Sequence, residues 1–273
     1  MKAISSSGHS SLPDVLVVSA LLVICAGCNR TSGRSVNLLG STSIQPFAEI
    51  LAEHYAKNNP GQFVEVQGGG STAGLQAAES GLTDIGMCSR VLTAAETKQF
   101  TPITIARDGL AIVVNLENSV AKLSLEQLRA LFAGRVTNWN EVGGKGGAVR
   151  PITREEGSGT RESFVRLVMG SERISRRALT QESNGAVKEL VKGDPAAIGY
   201  MSLGLVGKEL EAVVVEGTQP TVENVLAGRY KLVRPLLFVT KGEASAAAQK
   251  FIDFVLSSEG QRLLVVEGLV SVR

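Results

Sequence analysis

The chain is 273 residues long, 44% hydrophobic, and carries 28 basic against 26 acidic side chains, a formal net charge of +2. A chain of that size and hydrophobicity can bury a substantial core, which excludes wholesale disorder, and near charge balance without a dense Lys/Arg stripe among aromatics argues against a nucleic-acid partner. Only 4% aromatics beside 30 glycines fits aliphatic strands and helices joined by tight turns, the composition of an α/β protein.

Residues 1–28 read apart from the rest. Lys2 gives a positive start, Val15 to Ile24 is an apolar run too short to span a bilayer, and Cys25-Ala26-Gly27-Cys28 closes it with small residues, so an export signal is expected. The small residues before Cys28 resemble a bacterial lipoprotein signal, in which Cys28 would be lipidated and anchor the chain to a membrane. Residues 29–35 follow as a polar tether. Cys88 is then the one remaining thiol, read as a small buried hydrophobe.

From Val36 onward short aliphatic runs alternate with helical patterns. Val36 to Leu39 reads as a strand, and Pro46 opens a helix with Phe47, Ile50, Leu51, His54 and Tyr55 at helical spacing. Phe63 to Val66 and Thr83 to Met87 read as further strands, with a helix carrying Leu75 and Ala78 between them. After a strand at Leu110 to Asn115, Ser124 and Gln127 form a capping box and Gly134 is placed to end that helix. Val149 to Thr153, Ile198 to Met201, Ala212 to Val215 and Leu236 to Val239 are strand candidates, and Ala244 to Leu264 is spaced for a docked helix. Strands Leu110 to Asn115 and Val233 to Val239 are nominated as two crossovers. They divide the chain into lobe I, residues 36–112 plus 236–273, and lobe II, residues 113–235.

Three loops share one composition: Gly40-Ser41-Thr42-Ser43, Gly68-Gly69-Gly70-Ser71-Thr72 and Gly157-Ser158-Gly159-Thr160. Each follows an expected strand and opens an expected helix, where glycines let successive N–H groups converge and hydroxyls add donors. Any single loop can be ordinary N-capping; three together point to an anion cage. Arg154, at a strand end before the third loop, can grip two oxygens of a tetrahedral anion or pair with Glu155 or Glu156. Asp84 either caps the turn before Gly86 or accepts the proton that phosphate carries near neutral pH and sulfate lacks. The glycine triplet matches a dinucleotide fingerprint only loosely, and no Walker lysine motif occurs.

Gly40-Ser-Thr-Ser-Ile-Gln-Pro46, Gln67-Gly-Gly-Gly-Ser-Thr-Ala-Gly74, Thr83-Asp-Ile-Gly-Met-Cys-Ser-Arg90, Thr137-Asn-Trp-Asn-Glu-Val-Gly-Gly144, Arg154-Glu-Glu-Gly-Ser-Gly-Thr160 and Ile198-Gly-Tyr-Met-Ser-Leu203 resemble, in order, the signature segments of the phosphate-binding receptors of bacterial phosphate ABC importers. The resemblance implies a two-lobed type II periplasmic-binding-protein fold, each lobe a sheet flanked by helices, with phosphate between the lobes and no covalent chemistry. It further implies that Thr42, Ser43, Ser71, Asp84, Arg154, Ser158, Gly159 and Thr160 bind the anion, with Asp84 as proton acceptor, while Trp139 and Tyr200 pack. Its partners would be inorganic phosphate and a membrane permease, and its place extracytoplasmic; no cofactor or metal is expected, and the chain is expected to be a monomer. The readings it competes with are a receptor for sulfate, molybdate or tungstate, and a serine hydrolase or phosphatase using Ser158. For the latter, His9 and His54 are the only imidazoles.

Overall fold

A computed structural model describes residues 35–273. The export signal, Cys28 and all but the last residue of the expected tether lie outside the described residues, and Ser35 itself opens the first strand. Three strand–loop–helix units begin the fold: β1 (Ser35–Gly40) leads to α1 (Gln45–Asn58), β2 (Phe63–Gly68) to α2 (Ser71–Ser80), and β3 (Ile85–Cys88) to the short α3 (Glu96–Gln99). The long β4 (Thr101–Asn115) then carries the chain into a second set. This comprises β5 (Lys122–Leu123), α4 (Leu125–Ala133), β6 (Arg150–Arg154), α5 (Gly159–Phe164), β7 (Leu179–Gln181), α6 (Asn184–Gly193), β8 (Ala197–Ser202), β9 (Leu210–Ala212), β10 (Val214–Val215) and α7 (Val222–Leu226). Strand β11 (Val233–Thr240) returns to the first set, and α8 (Ala246–Leu256) and α9 (Ser258–Val266) follow it.

The main sheet runs β2-β1-β3-β11-β4-β8-β6-β7, with β9 also on β4. Strands β1, β2 and β3 are parallel, so Gly40, Gly68 and Cys88 end on one edge. Strand β6 is parallel to β7 and β8. Between these sets β4 and β11 are antiparallel, Thr101 to Gly109 facing Thr240 to Val233, and beyond Gly109 the same β4 pairs with β8. The chain is therefore an α/β protein whose two parallel sets are joined through two antiparallel strands. In open sheets of this kind, ligands bind beyond the carboxyl ends of the parallel strands.

Local signals account for most element ends. Ser124 Oγ accepts the Gln127 N–H at 3.1 Å while Gln127 Oε1 accepts the Ser124 N–H at 2.9 Å, and Gly134 closes that helix in the left-handed region at φ 76. The expected single helix over Ala244 to Leu264 is two, because Ser257 Oγ accepts the Gly260 N–H and starts α9. Strand β4 is also longer than the expected Leu110 to Asn115. Arg107 and Asp108 interrupt its apolar pattern, but Asp108 finds a buried partner across the sheet, described below.

Separate cores stabilise the two sets. One gathers Leu38, Phe47, Leu51, Phe238 and Phe251, the other Leu128, Phe132, Phe164 and Tyr200; full burial of each such aliphatic or phenylalanine side chain contributes roughly 1.5–3 kcal/mol. Phe164 and Tyr200 stack with ring centroids 4.0 Å apart at 4°. Trp139 is also buried, its Nε1 donating to the Ala196 carbonyl at 3.2 Å. Cys88 is buried, and burial pushes its thiol above the ordinary value.

Candidate functional site

The loops after β1, β2 and β3 meet because glycine lets their backbones close up. A Cβ on Gly40, at φ +143, would stand 2.3 Å from the Met87 carbonyl oxygen and 3.1 Å from Gly74 Cα, so no side chain fits where β1, β3 and α2 converge. Ser41, Ser71 and Ser89 thereby come together. Ser41 Oγ donates to Ser89 Oγ at 2.8 Å, Ser71 Oγ accepts the Ser89 N–H at 3.1 Å, and the Ser71 and Ser89 hydroxyls lie 3.4 Å apart. All three are buried.

The opposite set approaches this cluster through the loop after β6. Gly159 sits against it so closely that a Cβ there would meet Ser71 Oγ at 2.2 Å and Ser89 Oγ at 2.8 Å. Thr160 Oγ1 lies 2.7 Å from Ser43 Oγ, Asn184 Nδ2 donates to Ser43 Oγ at 2.8 Å, and Ser163 Oγ donates to the Ser89 carbonyl at 3.1 Å. Backbone joins in: the Thr72 N–H donates to the Gly157 carbonyl at 3.0 Å. Ser158 Oγ is buried and caps α5 by accepting the Arg161 N–H at 3.3 Å. Arg90, after β3, reaches Glu96 in its own set at 2.7 Å and Glu162 in the other at 2.7 Å.

Two buried guanidinium groups border the hydroxyls. Arg154 is 1% exposed. It donates from Nη2 to Thr42 Oγ1, Glu155 and the Glu182 carbonyl, each at 3.0 Å, and from Nε to Glu155 at 2.9 Å and the Gln181 carbonyl at 3.0 Å. Its Nη1 is buried and has no hydrogen-bond partner among the described residues. Tyr200 supports the strand beneath it, its hydroxyl accepting the Arg154 N–H at 3.2 Å and lying 2.7 Å from Thr153 Oγ1. Arg234, from inside β11, donates from Nη1 to Thr160 Oγ1 at 2.7 Å and from Nη2 to Ser43 Oγ at 3.1 Å, while Nε and Nη2 hold Asp108 Oδ2 at 3.0 and 2.9 Å. Burial pushes the Asp108 carboxyl up against the opposing pull of Arg234, and burial lowers Arg234.

Of the residues read from the sequence, the fold brings Thr42, Ser43, Ser71, Arg154, Ser158, Gly159 and Thr160 into this one cleft. Asp84 is the exception and its reading is corrected. It precedes β3, at the end opposite Ser89, and its carboxylate accepts the Asn37 N–H at 3.0 Å. Four residues of extended strand, on the order of 13 Å, separate it from the hydroxyls. Asn184, Asp108 and Arg234 were not read from the sequence, and Ser41 and Ser89, although they lie in the quoted segments, were not among the expected ligands. Ser89 could have been, as the first residue after a parallel strand, the same position that marks Ser41.

A cleft of this composition can surround a small oxyanion. Hydroxyls, an amide, backbone N–H groups and guanidinium forks all donate, and a buried guanidinium nitrogen without an acceptor costs free energy that an anion oxygen would recover. The chain's relatives agree in kind. A family model described as a PBP superfamily domain matches residues 29–259. The Bacillus subtilis phosphate-binding protein PstS is 29% identical over 93% of this chain and 91% of its own length. Among solved structures, a putative phosphate ABC transporter substrate-binding protein with bound phosphate from Clostridium perfringens is 38% identical with a TM-score of 0.85, covering 88% of this chain and 100% of that one. An ABC-type phosphate transport receptor from Vibrio cholerae is 38% identical at a TM-score of 0.73, covering 86% and 99%.

Proposed function

The chain belongs to the PBP (periplasmic-binding-protein) superfamily, and from that membership we propose that its cleft captures inorganic phosphate outside the cytoplasm and presents it to an ABC importer. The observation that carries this reading is the meeting of groups from both strand sets, Ser43 with Thr160 and Ser71 and Ser89 against Gly159, together with the reach of Arg154 Nη2 to Thr42. An anion stripped of water is tolerated only where every oxygen finds a donor, and this cleft is dense in donors. Lobe I, residues 36–112 plus 236–273, and lobe II, residues 113–235, would swing apart to admit the ligand and close through the contacts described. No bond to the ligand is made or broken, and Ser158 serves as a cap. A lipid on Cys28 would tether the receptor to the membrane beside its permease; incorporation of a fatty-acid label, abolished in Cys28→Ala, checks that anchor.

Ligand identity is tested by thermal-shift titration of the full chain with phosphate, sulfate and molybdate. A ligand that binds only the folded form raises the melting temperature with the logarithm of its concentration. Phosphate is expected to do so from the lowest concentration of the three. With Asp84 outside the cleft, preference over sulfate rests on hydroxyls, which can accept the phosphate proton as well as donate. A melting temperature indifferent to phosphate would sink the reading.

A further inference from the structure

We propose that Arg234 is a second anion-gripping arginine of the cleft, and that Asp108 is a positioning residue that aims Arg234 and balances its charge while the cleft is empty. The inference deepens the phosphate reading and rests on it.

The pair is buried to 0% on both side chains. Buried ion pairs of this kind contribute little net stability, because desolvation offsets their attraction and an apolar pair of equal volume serves as well. Its place in the fold supplies a reason beyond stability. Arg234 and Asp108 face each other in register on β11 and β4, the two strands that join the parallel sets. From there the guanidinium reaches Ser43 and Ser89 on one side of the cleft and Thr160 on the other. Every hydroxyl it touches also has a hydroxyl partner: Ser43 with Thr160, and Ser89 with Ser41 and Ser71. A hydroxyl that keeps a second partner can surrender such a bond to an incoming oxygen, which would release one N–H of each terminal nitrogen of Arg234 while Nη2 keeps Asp108.

Asp108 cannot itself serve the ligand. Its Oδ2 takes both Arg234 bonds and its Oδ1 takes the Ser202 hydroxyl at 2.9 Å. What it provides is a counter-charge. Without it, an empty cleft would hold an uncompensated buried cation, and a bound anion would replace the missing negative charge.

The two single variants are therefore expected to move affinity in opposite directions. By calorimetric titration of the full chain with inorganic phosphate, Arg234→Gln weakens binding by at least about thirtyfold, the loss usual when one partner of a buried charged contact is truncated. Asp108→Asn tightens binding by on the order of tenfold while lowering the melting temperature of the ligand-free protein, since the anion becomes the counter-charge of Arg234. The double variant Asp108→Asn with Arg234→Gln carries no unpaired charge; it keeps its fold and binds phosphate more weakly than wild type, and it decides the matter if Arg234→Gln alone does not fold. Wild-type affinity in either protein lacking Arg234, or equal weakening in both single variants, would overturn the assignment and leave the pair a structural one. A wild-type chain without affinity for phosphate would instead sink the parent reading and this one with it.

Discussion

Arg154 ends strand β6 and takes its carboxylate from the next residue, Glu155, whereas Arg234 lies inside β11 and takes its carboxylate from Asp108, 126 positions away. Glu155 is 26% exposed on its side chain and Asp108 is not exposed at all. The first arginine is anchored at a loop by carbonyls and a solvent-facing acid, and keeps one nitrogen without a partner among the described residues. The second is saturated by protein groups from several segments. The difference teaches that one cleft can combine a donor left open for a ligand with a donor quenched in advance, so that charge does not accumulate in an empty interior.

The comparison is broken most strongly at Arg154. Arg154→Met removes the open donor and strands Glu155 and Thr42, and phosphate affinity is expected to fall by about a hundredfold or more on calorimetric titration; a loss below about threefold would erase the distinction drawn between the two arginines. Next comes the contact that brings the halves together. Gly159→Ala introduces a Cβ that would stand 2.2 Å from Ser71 Oγ, and an overpacking strain of about 1–3 kcal/mol where the halves meet is expected to lower affinity by roughly tenfold on the same titration.

A third arginine sharpens the contrast through pH. Arg90 holds the Glu96 carboxyl down to about 2, below its unfolded value, so the stability this pair adds is fully present above about pH 4.5 and is lost as pH falls toward 2. Melting temperatures of wild type and Glu96→Gln should therefore differ at neutral pH and converge on acidification. The smallest effect belongs to the carboxylate that lies away from the cleft. Asp84→Asn keeps an acceptor for the Asn37 N–H and should leave both phosphate affinity and the phosphate-to-sulfate ratio unchanged, with stability within about 0.5 kcal/mol of wild type.

What the sequence discloses follows the range of the interaction. The caps at Ser124 and Gly134 and the three glycine-hydroxyl loops are written within a few neighbouring residues, and they appear where expected. Asp84 was misread because a carboxylate near a glycine turn looks alike at either end of a strand; only the parallel direction of β1 and β3 reveals which end faces the ligand. Asn184 meets Ser43 across 141 positions and Arg234 meets Ser43 across 191, and no periodicity reports such pairings. One trace of them was nonetheless legible: Arg234 lies inside one of the two strands nominated as crossovers, and Asp108 stands two residues before the other. An arginine amid Val233 and Leu236 and an aspartate before Leu110 ask for each other, since neither could be buried alone.

Strand β4 runs unbroken from Thr101 to Asn115, bonded first to β11 and then to β8. The junction between the halves is thus a ribbon of sheet, with one bulge where Leu236 and Leu237 face Ala106 and Thr104 and Ile105 is the extra residue. The opening proposed above would be spread as small torsional changes along these paired strands, in the way a leaf spring flexes, with the hydrogen-bonded ladder returning the halves toward alignment. Lengthening β4 by a single residue would reverse the faces of every side chain beyond the insertion, and the spring would no longer point its two ends at the same guest.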